Sequence, residues 1–139
     1  MSHQHTVLVA EDDPDLRDAI ESILLRAGYY VVATGNGLRA VALACEHRVD
    51  VALIDLLLPG QSGFQVAMEL KIRHGEAVRV VMMSGNASPA HQDYAFASGA
   101  EQFLRKPFTT PQLLDAIATF CPPPTEPVAE PRRTVRIGS

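Results

Sequence analysis

Two rhythms of apolar residues alternate along this chain. Short, strongly apolar runs rich in β-branched residues are separated by longer stretches in which apolar side chains return every three or four positions. The alternation repeats five times, the pattern of an α/β domain built on a parallel sheet. Val7 to Ala10 predicts the first strand, Tyr29 to Ala33 the second, Val51 to Ile54 the third, Val78 to Met83 the fourth and Gln102 to Leu104 the fifth. The third and fourth are nearly all apolar, as strands covered by helices on both faces should be.

Five helices fill the gaps, and several announce their starts. Asp13-Pro14, Ser88-Pro89 and Thr110-Pro111 each put a capping side chain before a proline suited to the first helical position, where a missing N–H costs nothing. Ser62 followed by Gln65 has the form of a capping box. Leu16, Ala19, Ile20, Ile23 and Leu24 recur at helical spacing, as do Leu113, Leu114, Ile117 and Phe120. Gly28 and Gly99 are placed to end the first and fourth helices. From Pro122 the pattern stops and prolines accumulate, so the reading divides the chain into a domain over 1–121 and a proline-rich, disordered tail or linker over 122–139. The arginines at 132, 133 and 136 make that tail basic, which by itself implies solvation rather than a binding role.

Composition narrows the function. The net charge of −4 over 139 residues leaves no basic footprint for nucleic acid, and no apolar run approaches the ~20 residues needed to span a bilayer. The amino terminus lacks the apolar core of a secretion signal. Two cysteines, Cys45 and Cys121, make neither a disulfide framework nor a zinc site and are expected reduced, in the cytoplasm. The five histidines show no ligand spacing and read as solvated.

In open parallel sheets chemistry gathers beyond the carboxyl ends of the strands. Glu11, Asp12 and Asp13 follow the first strand, Asp55 ends the third, Ser84 ends the fourth and Lys106 follows the fifth. Singly, each has a plain explanation: Asp13 a helix cap, Ser84 a turn, Lys106 a surface charge. Together they are harder to set aside, because two like charges about 4 Å apart repel by roughly 4 kcal/mol at an effective dielectric of about 20. Several acids in one pocket therefore call for a cation, and ligands that are all oxygen favour a hard ion, Mg²⁺ or its substitute Mn²⁺. A carboxylate, a metal, a hydroxyl and an ammonium are the parts of a phosphoryl-transfer site. Asp55 would be the nucleophile, the metal and Lys106 would balance developing charge, and Ser84 would donate to a phosphoryl oxygen.

Four segments resemble the signature blocks of bacterial response-regulator receiver domains, in order and in register: Val7 to Pro14, Asp55 to Gly60, Met83-Ser84-Gly85, and Phe103 to Phe108. The resemblance runs from about Thr6 to Phe120. It implies a flavodoxin-like, doubly wound five-stranded parallel sheet of order 2-1-3-4-5 with five helices. Asp55 would then take a phosphoryl group from a histidine kinase or a histidine phosphotransfer protein in a two-component system or phosphorelay. Glu11, Asp12, Asp55 and the backbone carbonyl of Leu57 would hold Mg²⁺. The resemblance further implies a cis peptide between Lys106 and Pro107, and it matches Gly63 to the glycine of the loop after the acceptor. Ser84 and Phe103 would form the switch pair, although Phe103 stands where tyrosine is commoner and lacks a hydroxyl. The implied docking surface is the face of the fourth helix, fifth strand and fifth helix, a region that includes Ser88, Ala90, Phe96 and Ala97. On this reading the protein is a signalling switch that assists its own phosphorylation and dephosphorylation, rather than an enzyme.

Other readings of the same residues compete. A haloacid-dehalogenase-type phosphohydrolase usually carries a second acid two residues after its nucleophile, where this chain has Leu57. A flavodoxin-type cofactor binder would set a phosphate against the acids at 11 to 13. The remaining alternatives are a receiver-like interaction module that takes no phosphate, or the receiver of a longer transcription regulator whose linker begins at Pro122.

Overall fold

The computed structural model describes residues 4–123 and 134–136. Its elements follow the predicted alternation: β1 (Thr6–Ala10), α1 (Pro14–Arg26), β2 (Tyr30–Thr34), α2 (Gly37–Glu46), β3 (Val51–Asp55), α3 (Gly63–His74), β4 (Arg79–Ser84), α4 (Pro89–Ala97), β5 (Gln102–Arg105) and α5 (Thr110–Ala118). The caps explain most of the helix starts. Asp13 accepts the N–H groups of Asp15 and Leu16, Ser88 accepts that of His91, and Ser62 with Gln65 closes a capping box. One assignment is corrected: α5 is capped by Thr109, not Thr110. Thr109 pairs reciprocally with Gln112, so the box takes the residue one position earlier and leaves Thr110 inside the helix.

All strand pairs are parallel, and the sheet order is β5-β4-β3-β1-β2-β6. Strands one to five therefore lie in the order 2-1-3-4-5. The addition is β6 (Thr134–Arg136), three residues that pair with Val31, Val32 and Ala33 along the outer edge of β2. The tail was expected to carry no regular structure. An edge strand presents unpaired N–H and C=O groups, and any extended segment within reach can satisfy them. Residues 124–133 and 137–139 lie outside the described residues.

Alternate residues of the strands feed two cores. Leu8, Ala10, Ala52, Ile54, Val80 and Met82 point to one face, where Leu43, Val66, Leu70 and Ala95 from α2, α3 and α4 cover them. Val7, Val9, Val51, Leu53, Val81 and Met83 point to the other, under Ile20 and Leu24 of α1 and Leu113 and Ile117 of α5. Each buried Val, Leu, Ile or Met side chain contributes about 1.5–3 kcal/mol by leaving water. Tyr29 closes the second core, its hydroxyl donating to the Cys121 carbonyl at 2.6 Å. Both cysteines are free thiols.

Two details brace the sheet's opposite ends. At the amino end, Lys71 Nζ donates to the Val78 carbonyl at 2.8 Å and to Glu101 Oε2 at 2.7 Å, while Glu101 Oε1 accepts the Val80 N–H at 3.0 Å. At the carboxyl end, the loop after β3 rests on the start of α2. There the Gly37 N–H donates to the Pro59 carbonyl at 2.9 Å, and a Cβ on Gly37 would fall 2.0 Å from the Gln61 carbonyl oxygen. Because that oxygen is backbone, no side-chain rotation relieves the clash. Gly37→Ala should cost about 2 kcal/mol in urea unfolding; an unchanged midpoint would show that the loop yields freely.

Candidate phosphoryl-acceptor site

Parallel strands bring their carboxyl ends to one edge, and the chemical residues stand at the ends of four of them. Asp55 is the last residue of β3 and Ser84 the last of β4, with Glu11 and Asp12 just past β1 and Lys106 just past β5. Glu11, Asp55 and Ser84 are buried, while Asp12 is exposed at the rim. One carboxylate oxygen each from Glu11, Asp12 and Asp55 lie within 4.8 Å of one another. The predicted trio is thus assembled. Asp13, set aside as a cap, is one.

Lys106 is the local counter-charge. Its Nζ donates to Glu11 Oε1 at 2.5 Å and lies 3.3 Å from Asp55 Oδ1, and its backbone N–H donates to the Ser84 carbonyl at 2.9 Å. The Lys106-Pro107 peptide is cis. Burial alone would lower the Lys106 pKa, but the hydrogen bond and charge of Glu11, together with Asp55, raise it on balance. The ammonium therefore stays charged.

Asp55 feels the opposite balance. Burial, then the neighbouring negative charge of Glu11, push its pKa from 3.8 to about 6, although Lys106 pulls the other way. One lysine does not neutralise two buried carboxylates, and the shortfall measures how well an added cation would be received. Gly63 closes the floor: a Cβ there would meet the Asp55 carbonyl oxygen at 2.4 Å. Its N–H donates to the Leu56 carbonyl at 2.9 Å, holding the loop that carries Leu57.

Ser84 Oγ accepts the Asn86 N–H at 3.0 Å and makes no hydrogen bond to Asp55 among those described. Phe103 is partly buried against the core shared by α2, α3 and α4. Leu57 is 80% exposed, over a largely apolar pocket of about 220 Å³ that Leu56, Phe64, Ser84 and Asn86 also line. The sequence reading missed Arg17. It is buried with Ile20, Glu21 and Leu24, and Nη1 donates to the Glu11 carbonyl at 2.9 Å. Its signal was spacing: positions 17, 20, 21 and 24 form one helical stripe, in which two members happen to be charged.

A family model described as "Response regulator receiver domain" matches residues 7–118. The polar-differentiation response regulator DivK of Brucella anthropi is 29% identical over 119 residues, which cover 83% of this chain and 94% of that protein. The first curated relatives are longer transcriptional and DNA-binding regulators, and the chain spans about half their length. Among solved structures, the Vibrio cholerae chemotaxis protein CheY4 superposes with a TM-score of 0.80 at 27% identity, covering 85% of this chain and 99% of that one. The receiver domain of the sensor histidine kinase PA1611 from Pseudomonas aeruginosa PAO1 superposes at 0.77 with 26% identity, covering 85% and 98%. That structure holds a magnesium ion coordinated in the active site cleft.

Proposed function

This chain belongs to the response-regulator receiver family, and on that premise we propose that Asp55 accepts a phosphoryl group in a pocket that Glu11, Asp12 and Asp55 prepare for Mg²⁺. The family is a signalling switch, served by histidine kinases or phosphotransfer proteins and read by downstream targets. One observation carries the assignment of residues: groups from three strand ends distant in sequence converge, with three carboxylates within 4.8 Å and the Lys106 ammonium 3.3 Å from Asp55.

The donor set fits the ion. Three carboxylates with no nitrogen or sulfur among them suit a hard cation, with the Leu57 carbonyl as a further ligand and Mn²⁺ as a substitute. When bound, the cation supplies charge neutralisation for phosphoryl oxygens. The protein's groups do the rest. An Asp55 carboxylate oxygen attacks phosphorus, the bond from phosphorus to the donor's oxygen or nitrogen breaks, and the leaving group departs with that electron pair. Lys106 holds a positive charge beside the incoming oxygens, and the Ser84 hydroxyl turns to donate to one of them. Leu57 and Asn86, two residues past Asp55 and Ser84, flank the approach of the donor and of the water that later hydrolyses the acyl phosphate.

Phosphorylation adds charge and acceptor oxygens where Ser84 and Lys106 converge, so both are drawn inward and the populations of the connected loops shift. Ser84 leads into α4 and Lys106 follows β5, which supports the α4-β5-α5 face, with Phe103 at its inner side, as the surface the target reads. We take residues 1–121 as the receiver unit, 122–139 as a tail or linker, and the cytoplasm as the setting. No helix among the described residues is long and apolar enough to cross a membrane. Intact-mass measurement after incubation with acetyl phosphate tests the proposal. Mg²⁺ should give a gain of one phosphoryl group, and a chelator should reduce the labelled fraction at least about tenfold. Equal labelling with and without metal would overturn the cation's role.

A further inference from the structure

The first loop is tied down by a group that the phosphoryl chemistry above does not use. Arg17 sits in the first turn of α1 and is 9% exposed. Its backbone N–H donates to the Asp13 carbonyl at 2.9 Å, and its Nη1 reaches back to the Glu11 carbonyl, also at 2.9 Å. Sinking a guanidinium this far costs solvation, so the acceptor that its Nη1 reaches matters.

The acceptor is a telling one. The Glu11 carbonyl and the Asp12 N–H belong to one peptide unit, which is planar. Holding the oxygen holds the plane, and with it the Cα atoms at both ends and the directions in which the Glu11 and Asp12 side chains leave. Those are the two first-loop acids whose carboxylates meet Asp55. The other fastenings of Glu11 lie elsewhere. Its N–H donates to the Thr34 carbonyl at 3.0 Å, and its carboxylate takes the Asp13 N–H at 3.2 Å and the Lys106 ammonium.

We propose that Arg17 is a positioning residue for the divalent-cation pocket, presetting the Glu11–Asp12 peptide so that both acids already face Asp55 before the ion arrives. The inference rests on the receiver reading. A role through charge alone has the opposite sign: deleting a buried cation near three carboxylates would tighten a divalent ion's binding.

Mg²⁺ titration of the metal-stripped full chain, followed by amide NMR signals, separates the two. Arg17→Met should weaken Mg²⁺ about tenfold while keeping a native spectrum. Arg17→Lys, whose ammonium is a point donor without the planar fork, should weaken it about threefold and decides the matter if the methionine variant does not fold. Lys71→Met, at the far end of the sheet, should lower stability yet bind Mg²⁺ like the parent, which removes general loosening as an explanation. Either folded Arg17 variant binding Mg²⁺ as tightly as the parent, or more tightly, overturns the proposal. A parent that binds no Mg²⁺ would instead sink the receiver reading of the pocket.

Discussion

Asp55→Asn is expected to take up no phosphoryl group from acetyl phosphate and, without divalent cations, to be more stable than the parent. The first half follows from the nucleophile: an amide oxygen in place of the carboxylate cannot form the acyl phosphate. The second follows from charge. In the folded protein burial and Glu11 hold the Asp55 pKa at about 6, against 3.8 as its ordinary value. Between those values the folded state keeps a proton that the unfolded chain has released, so stability falls as pH rises through that window. Below about pH 4 both states are protonated and Asp55 costs nothing; above about pH 6 the full penalty applies, on the order of 3 kcal/mol. Asparagine never bears it. Urea melts in chelator from about pH 4 to 8 should show the variant's advantage growing with pH, and saturating Mg²⁺ should shrink it. An advantage that is flat across pH, or labelling equal to the parent, would contradict the assignment.

Lys106→Met should do the reverse. Glu11 is 1% exposed and relies on that ammonium, so its removal leaves two buried carboxylates facing each other. The metal-free variant should lose about 3 kcal/mol at neutral pH, because breaking a buried pair strands its partner. Mg²⁺ should restore more stability to this variant than to the parent, since the ion replaces the missing charge. Phosphoryl uptake should slow by between about 10- and 100-fold. Any labelled fraction should leave the amide signals of β5 where they were, because nothing then draws β5 inward, while those of α4, reached through Ser84, still move. Thermal melts with and without Mg²⁺, paired with NMR of labelled protein, measure both effects. A variant as stable as the parent in chelator would mean that Lys106 is not the pocket's counter-charge.

The fold was legible because parallel strands leave a strong mark. Val51 to Ile54 and Val80 to Met83 have to be apolar on both sides, and the capping pairs at Asp13, Ser62 and Ser88 announce their helices through backbone chemistry that is local in sequence. The site was legible for a topological reason: a parallel sheet sends the residues that end its strands to one edge, so Glu11, Asp12, Asp55, Ser84 and Lys106 group together from the strand pattern alone. What escaped was decided by tertiary context. Thr109 and Thr110 are equivalent candidates by type, and only the reach of Gln112 chooses between them. Arg17 reads as a surface residue because charge normally marks the solvent face. Thr134–Arg136 has too few residues to signal a strand, and its pairing depends on the waiting edge of β2.

The Lys71–Glu101 brace gives the switch a pivot. It pins β4 and the approach to β5 at their amino ends, while Ser84 and Lys106 sit at the free ends of the same levers. A pull on those two residues is therefore converted into tilt rather than sliding. Displacement should grow along each strand from almost nothing at Val80 to its largest value at the phosphoryl pocket, and the attached helix should swing like a door on a fixed hinge.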